Sequence, residues 1–262
     1  MIYRKRVILI IMNEKIINKK VIACDLDGTL APSKSFLEKE MAEVIFKILE
    51  KYKLAVISGG SYKQFEKQFI SQLSINKELF RNLYLFPTNG STCYIYENDE
   101  FRKLYDEMMT IEERKKIFSA FKIAIEESKI DVSNPFGEIV EDREGEVTFS
   151  GRGQNAPLEE KEKWDPDQSK RKIIVDLLKK YIPEFEIRIG GATSIDITHK
   201  GINKAYAINK IKKIINVETE DILFIGDALY ENGNDSSVKE TGVECISVAN
   251  PKETLDLLKS YL

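Results

Sequence analysis

The chain has 262 residues, 42% of them hydrophobic and 32% charged, which is enough to bury the core of one large domain or two modest ones. Its 40 basic and 43 acidic residues are spread along the sequence and leave a net charge of -3, so nucleic acid finds no basic field, and no stretch reaches the ~20 apolar residues of a membrane span. Cys24, Cys93 and Cys245 are odd in number and far apart, and His199 is the single histidine; disulfide frameworks, zinc sites and Ser-His-Asp chemistry are disfavoured, and carboxylates and lysines are left to carry any reaction in a reducing cytoplasm.

Residues 1–20 carry a basic patch, Arg4 to Arg6, and an apolar run from Val7 to Met12 that is too short to span a bilayer and has no small-residue cleavage site after it. The run is read as a strand, a frayed extension, or sequence ahead of a start at Met12. Ile22 to Cys24 form an apolar strand that ends in DLDGTL, and a helical pattern follows through Phe36, Met41, Val44, Ile45, Ile48 and Leu49. Leu54 to Ile57 predict a second strand, ended by Ser58-Gly59-Gly60-Ser61, with a helix marked by Phe65, Phe69 and Leu73. Strands alternating with helices imply a parallel sheet covered on both faces.

The middle of the chain changes rhythm. Leu83 to Phe86 and Cys93 to Tyr96 read as strands in an antiparallel setting, Thr110 to Glu127 as a helix, and GEIVEDREGEVTFSG as a hairpin turning at Arg143-Glu144-Gly145. A polar stretch from Gln154 to Gln168 precedes a helix near 169–181 and two short strands, 186–189 and 194–198. From Lys200 the earlier pattern returns: a helix through Ile202, Ala205, Ile208 and Ile211, the strand DILFIGD, a strand over 242–248 and a helix over 251–262. The expected fold is α/β, a doubly wound, Rossmann-like parallel-sheet core built from 1–95 and 200–262, with an α+β cap domain inserted over 96–199.

Ligands of open parallel sheets sit beyond the carboxyl ends of the strands, where Asp25, Asp27, Ser58 and Asp227 all fall. Asp25 and Asp27 can address one substrate while Gly28 permits a tight turn; read alone, the pair is equally an Asx-rich turn that ends a strand. Gly59 and Gly60 would let a substrate approach the backbone, or form an ordinary turn. Trp164, Tyr94, Tyr96 and Tyr105 could stack on a sugar ring, with core or sheet surface the blander use. Glu159 to Lys163 reads as a solvated face.

DLDGTL at 25–30, Ser58, Lys204 in GINKAYAI and GDALYENGND at 226–235 together resemble the haloacid dehalogenase superfamily, in motif order and on the matching elements. The resemblance implies that Asp25 attacks phosphorus and Asp27 serves as general acid and base. It also implies that Ser58 and Lys204 hold the phosphoryl oxygens, and that Mg²⁺ is held by Asp25, Asp227 and a backbone oxygen of Asp27. Asp235, eight residues beyond Asp227, is either a direct metal ligand or a group that orients the ligands and Lys204, and the insert from Glu231 to Asn234 reads as an exposed turn.

The position of the insertion resembles the type-two caps of subclass B, found in sugar phosphatases and eukaryotic-type phosphomannomutases. SGGS at 58–61, FPTNG at 86–90, GGATSID at 190–196 and the GNDSS segment lean toward the latter. That likeness implies that Ser194 and Asp196 face the sugar phosphate and that Arg143 and Arg152 grip a distal phosphate, whereas Phe136 stands where a further family arginine is expected; each arginine is otherwise a solvated hairpin charge. The function expected is a Mg²⁺-dependent phosphohydrolase or phosphotransferase acting on a phosphorylated sugar through an aspartyl-phosphate, with interconversion of mannose 6-phosphate and mannose 1-phosphate as the alternative. An idle binding protein that keeps the fold is disfavoured by the presence of all five core residues. The partners expected are the small sugar phosphate and, at most, a second copy of the chain as a homodimer.

Overall fold

A computed structural model describes residues 19–262, apart from 34, 74, 75, 144, 191, 232 and the side chain of 158. The apolar run at 7–12, Glu144 of the expected hairpin turn, Gly191 of GGATSID and Asn232 of the expected exposed turn therefore lie outside the described residues. Two compact units divide the chain: one is formed by the segments up to Asp106 and from Asn203 to Leu262, the other by Glu107–Ile202.

In the first unit, strands β1 (Val21–Asp25), β2 (Lys53–Ile57) and β3 (Leu83–Phe86) are separated by helices α1 (Lys39–Lys51) and α2 (Tyr62–Gln68). Strands β4 (Thr92–Glu97) and β5 (Glu100–Asp106) follow. After the second unit come α6 (Lys204–Ile215), β10 (Ile222–Gly226), β11 (Glu244–Ser247) and α7 (Pro251–Lys259). The seven strands form one sheet in the order β11-β10-β1-β2-β3-β4-β5, parallel from β11 to β3 and antiparallel at β4 and β5.

Alternate residues of the parallel strands feed two apolar layers, as period-two side-chain placement requires. Ile22, Cys24, Leu54, Val56, Leu223 and Ile225 pack with α1 and α7, while Val21, Ala23, Ala55, Ile57, Ile222 and Phe224 pack with Ala207, Ile208 and Ile211 of α6. Burial on both faces is why these strands read as continuous apolar runs.

The second unit is a four-stranded antiparallel sheet, order β6-β7-β9-β8, made of β6 (Val140–Asp142), β7 (Val147–Ser150), β8 (Phe185–Gly190) and β9 (Ser194–His199). Its helices are α3 (Ile111–Ser128), α4 (Leu158–Trp164) and α5 (Ser169–Tyr181). A capping box of Thr110 and Glu113 starts α3: the Thr110 hydroxyl accepts from the Glu113 amide at 3.2 Å and the Glu113 carboxylate accepts from the Thr110 amide at 2.8 Å.

Several expectations change. The junction expected between 95 and 96 falls inside β4, and β5, which the sequence pattern did not separate, pairs with β4 along its length, so the first unit runs to Asp106. Strand β3 is parallel to β2 and belongs to the main sheet, not to an antiparallel lobe. Phe36 lies ahead of α1 and is 55% exposed, so it is no core position. The run at 159–163 is the solvated face expected of it: it lies on a short helix with Glu159, Glu162 and Lys163 exposed, while Trp164 at its end is buried against Phe149.

Candidate active site

Parallel register places three chain reversals at one edge of the main sheet: Asp25 pairs with Ile57, Cys24 with Ile225, and each strand then gives way to Leu26-Asp27, Ser58-Gly59 and Asp227-Ala228 respectively. The fourth contribution comes from α6, whose N-terminus is set by Asn203: its side-chain oxygen accepts from the Tyr206 amide at 3.0 Å, so helical geometry begins at Lys204.

These elements bring Asp25, Asp227 and Asp235 together, with carboxylate oxygens within 4.8 Å of one another. Lys204, fully buried, donates from Nζ to Oδ1 of both Asp25 and Asp235. The second oxygen of Asp235 accepts from the Ala228 amide at 3.0 Å. Thr29 fixes Asp227 twice: its hydroxyl donates to Asp227 Oδ1 at 3.2 Å and accepts from the Asp227 amide at 3.0 Å. Oδ2 of Asp25 is buried and has no hydrogen-bond partner among the described residues.

Three carboxylates, those of Asp25 and Asp235 buried and that of Asp227 half-buried, stand against one ammonium and leave the cluster negative, and burial resists that charge. Desolvation pushes the Asp25 carboxyl up to about 7, against the pull of Lys204 and with added repulsion from Asp235 and Asp227. Burial works against the Lys204 ammonium, yet the Asp25 and Asp235 carboxylates hold its pKa above the ordinary lysine value. An unpartnered buried oxygen amid excess negative charge is the donor set a hard divalent cation fits, all oxygen and two formal charges short of neutrality.

Asp27 is held by side chains of α2. Its Oδ2 accepts from Gln64 Nε2 at 3.1 Å and its Oδ1 from Gln68 Nε2 at 2.9 Å. Ser58 is buried, and its Oγ accepts from the Gly60 amide at 3.1 Å, which leaves the hydroxyl proton available to an incoming acceptor. Gly59 faces Asn89, whereas a Cβ on Gly60 would collide with the Gln64 side chain, so Gly60 makes room for a neighbour within the protein.

In the second unit, the sheet face opposite the helices carries Thr148, Ser194 and Asp196, with Asp196 paired across to Thr148 and Arg188. Arg143 donates to Glu141 Oε2 at 2.7 Å, Glu146 Oε1 at 3.2 Å and Gln154 Oε1 at 3.3 Å. Burial and the nearby Asp196 push the Glu146 carboxyl up to about 7, while Arg143 pulls it down. Arg152 takes other partners, the Ser133 carbonyl at 3.2 Å and Glu160 Oε2 at 3.1 Å, and lies 5.5 Å from the Phe136 ring centroid. Of the aromatic residues, Tyr94 stacks on Tyr62, Tyr105 donates to the Gly90 carbonyl, and Tyr96 and Trp164 are core.

Thr29, Gln64, Gln68 and Glu146 are not singled out by the sequence motifs. Thr29 stands inside DLDGTL, and Gln64 and Gln68 recur at i, i+4 on the helix after SGGS, the one signal that both face the same way. Glu146 offered no signal beyond lying next to a strand.

The fold is haloacid dehalogenase-like. A haloacid dehalogenase-like hydrolase from Bacteroides thetaiotaomicron superposes with a TM-score of 0.66 at 15% identity over 93% of this chain and 100% of that one. A C-terminally truncated IMP-nucleotidase of Plasmodium falciparum superposes with a TM-score of 0.72 at 17% identity over 95% and 73%. The model of the eukaryotic phosphomannomutase family matches residues 41–262, and the chain belongs to that family of enzymes. The phosphomannomutase of Schizosaccharomyces pombe is 27% identical over 256 residues, 95% of this chain and 96% of the relative. The family match begins beyond Asp25 and Asp27, so those two residues rest on DLDGTL and the geometry above.

Proposed function

We propose that this enzyme is a Mg²⁺-dependent phosphotransferase that takes the phosphoryl group of a phosphorylated sugar onto Asp25. The observation that carries this reading is Asp25 itself: a buried carboxylate with one oxygen held by Lys204 and the other without a partner among the described residues, at the end of a central strand. As the Asp25 oxygen bonds to phosphorus, the bond from phosphorus to the sugar oxygen breaks and Asp27 gives that oxygen a proton. Asp27 then takes a proton from the acceptor that attacks the aspartyl-phosphate. Ser58 donates its hydroxyl proton and Lys204 its charge to the phosphoryl oxygens. Asp25, Asp227 and the backbone oxygen of Asp27 would hold Mg²⁺, with Asp235 keeping Lys204 and the Ala228 turn in place. When bound, the cation offsets the repulsion between the carboxylate cluster and the phosphoryl group.

Family membership favours a second reading, in which the acceptor is the sugar itself and the 6- and 1-phosphates of mannose are interconverted. That reaction needs Arg143 and Arg152 to exchange their present carboxylate partners for a distal phosphate, a substitution suited to guanidinium forks. Product analysis with mannose 1-phosphate and Mg²⁺, with and without glucose 1,6-bisphosphate, separates the two. Bisphosphate-dependent 6-phosphate with little free phosphate means a mutase, and steady phosphate release a phosphatase; no turnover of any sugar phosphate, or Asp25→Asn retaining turnover, refutes both. Among the described residues no helix is long and apolar enough to cross a membrane, and we place the enzyme in the cytoplasm, where its cysteines stay reduced. Light scattering reads whether it works as a homodimer.

A further inference from the structure

Asp27 is held by two amides that recur one turn apart on α2. Gln64 Nε2 donates to Asp27 Oδ2 at 3.1 Å and to Gln68 Oε1 at 2.8 Å, and Gln68 Nε2 donates to Asp27 Oδ1 at 2.9 Å. The three side chains thus close a ring in which each amide orientation dictates the other. Turning Gln68 over would set its carbonyl oxygen against a carboxylate oxygen and its NH₂ against that of Gln64. Gln68 is buried and Gln64 half-buried, and the ring sits on the helix that begins at the strand end bearing Ser58. A second feature bears on it: a Cβ at Gly60 would collide with Gln64 Oε1, so the Gln64 carboxamide packs directly on the backbone after Ser58.

We infer that Gln64 and Gln68 are positioning residues that hold the Asp27 carboxyl group in the plane and rotamer from which it meets the leaving oxygen of the substrate. The inference rests on the acid and base role proposed for Asp27. A carboxyl group on a free rotor must be ordered in every turnover, and misplacement by an ångström weakens proton transfer far more than it weakens substrate binding. The demand is unequal among substrates. An alkoxide leaving group needs the proton as its bond to phosphorus breaks, whereas p-nitrophenolate departs without it.

The test compares kcat/KM for mannose 1-phosphate and for p-nitrophenyl phosphate in Gln64→Met, Gln68→Met, the double variant and Asp27→Asn. This ratio reports the steps through departure of the leaving group, and methionine keeps the length of glutamine without its donor. Each single change is expected to lower kcat/KM for the sugar phosphate about tenfold, and the double change by less than the roughly hundredfold that independent sites would give, because loss of either amide already opens the ring. The fall for the aryl phosphate should be at least several-fold smaller, with KM for the sugar phosphate changed less than kcat. Equal falls for both substrates in the half-buried Gln64→Met protein would mean a merely structural role and overturn the inference, as would no fall at all. If Asp27→Asn discriminates between the substrates while the glutamine variants do not, only the positioning role is lost. If Asp27→Asn fails to discriminate, the acid role and the inference fall together.

Discussion

Gly28→Ala probes the seat of Asp227 through a single methyl group. Gly28 has φ +89°, and a Cβ there would stand 2.6 Å from Asp227 Oδ2 and 2.9 Å from its Cγ. The backbone part of the cost is that of any L-residue forced into the left-handed region, about 1–2 kcal/mol. Gly201 supplies the control, because it has φ +80° and a methyl group there would meet nothing within 4 Å, so Gly201→Ala incurs the backbone part alone. At Gly28 the carboxylate must also move, and it loses the 3.2 Å bond from Thr29, adding about 1 kcal/mol. Displacing a group that would hold the cation should lower turnover roughly 10–100-fold and raise the Mg²⁺ concentration for half-maximal rate. Urea unfolding measures the first quantity and steady-state rates across a Mg²⁺ titration the second. If Gly28→Ala matched Gly201→Ala in both stability and Mg²⁺ dependence, the placement of Asp227 against the Gly28 backbone would be wrong.

Lys204→Met leaves the Asp25 and Asp235 carboxylates buried without their shared cation, and it should destabilise the metal-free protein by about 3–5 kcal/mol, with Mg²⁺ recovering part of the loss in urea melts. Arg171 donates to Asp165 Oδ2 at 2.7 Å and to the Gly190 carbonyl at 2.7 Å inside the second unit; Arg171→Met should weaken that unit by a similar amount, read as an earlier red shift of the adjacent Trp164, the chain's single tryptophan. The folded carboxyl of Glu146 is raised from 4.5 to about 7, so folded chains hold a proton that unfolded chains have released, and stability falls as pH rises through that interval. In Glu146→Gln that part of the slope should vanish, making the variant's unfolding midpoint, relative to the parent protein's, higher at about pH 8 than at about pH 5; the same difference at both would refute the shift.

The order of elements and the residues of the catalytic edge were legible in the linear chain because each depends on local chemistry. Continuous apolar runs such as Ile22 to Cys24 declare strands buried on both faces, and the helical spacing of Met41, Val44, Ile45, Ile48 and Leu49 declares a helix, whereas the caps at Thr110 and Asn203 that fix where two other helices begin are seen only in the fold. A carboxylate or hydroxyl just past the carboxyl end of such a strand reaches the same end of the sheet whatever else the chain does, so Asp25, Asp27, Ser58 and Asp227 could be chosen from the linear chain, whereas Lys204 was supplied by the resemblance to a known superfamily. That resemblance narrowed the chemistry further. Tertiary structure alone decided that β4 and β5 extend the main sheet, since strand pairing joins residues through hydrogen bonds that no local pattern encodes. It alone decided that Gln64 and Gln68 hold the Asp27 carboxylate, because the partners of a side chain after a tight turn follow from what packs beside it. The partners of Arg143 and Arg152 were hidden for the same reason: the sequence shows that a guanidinium is present, and only the folded sheet and its loops bring the carboxylates within reach.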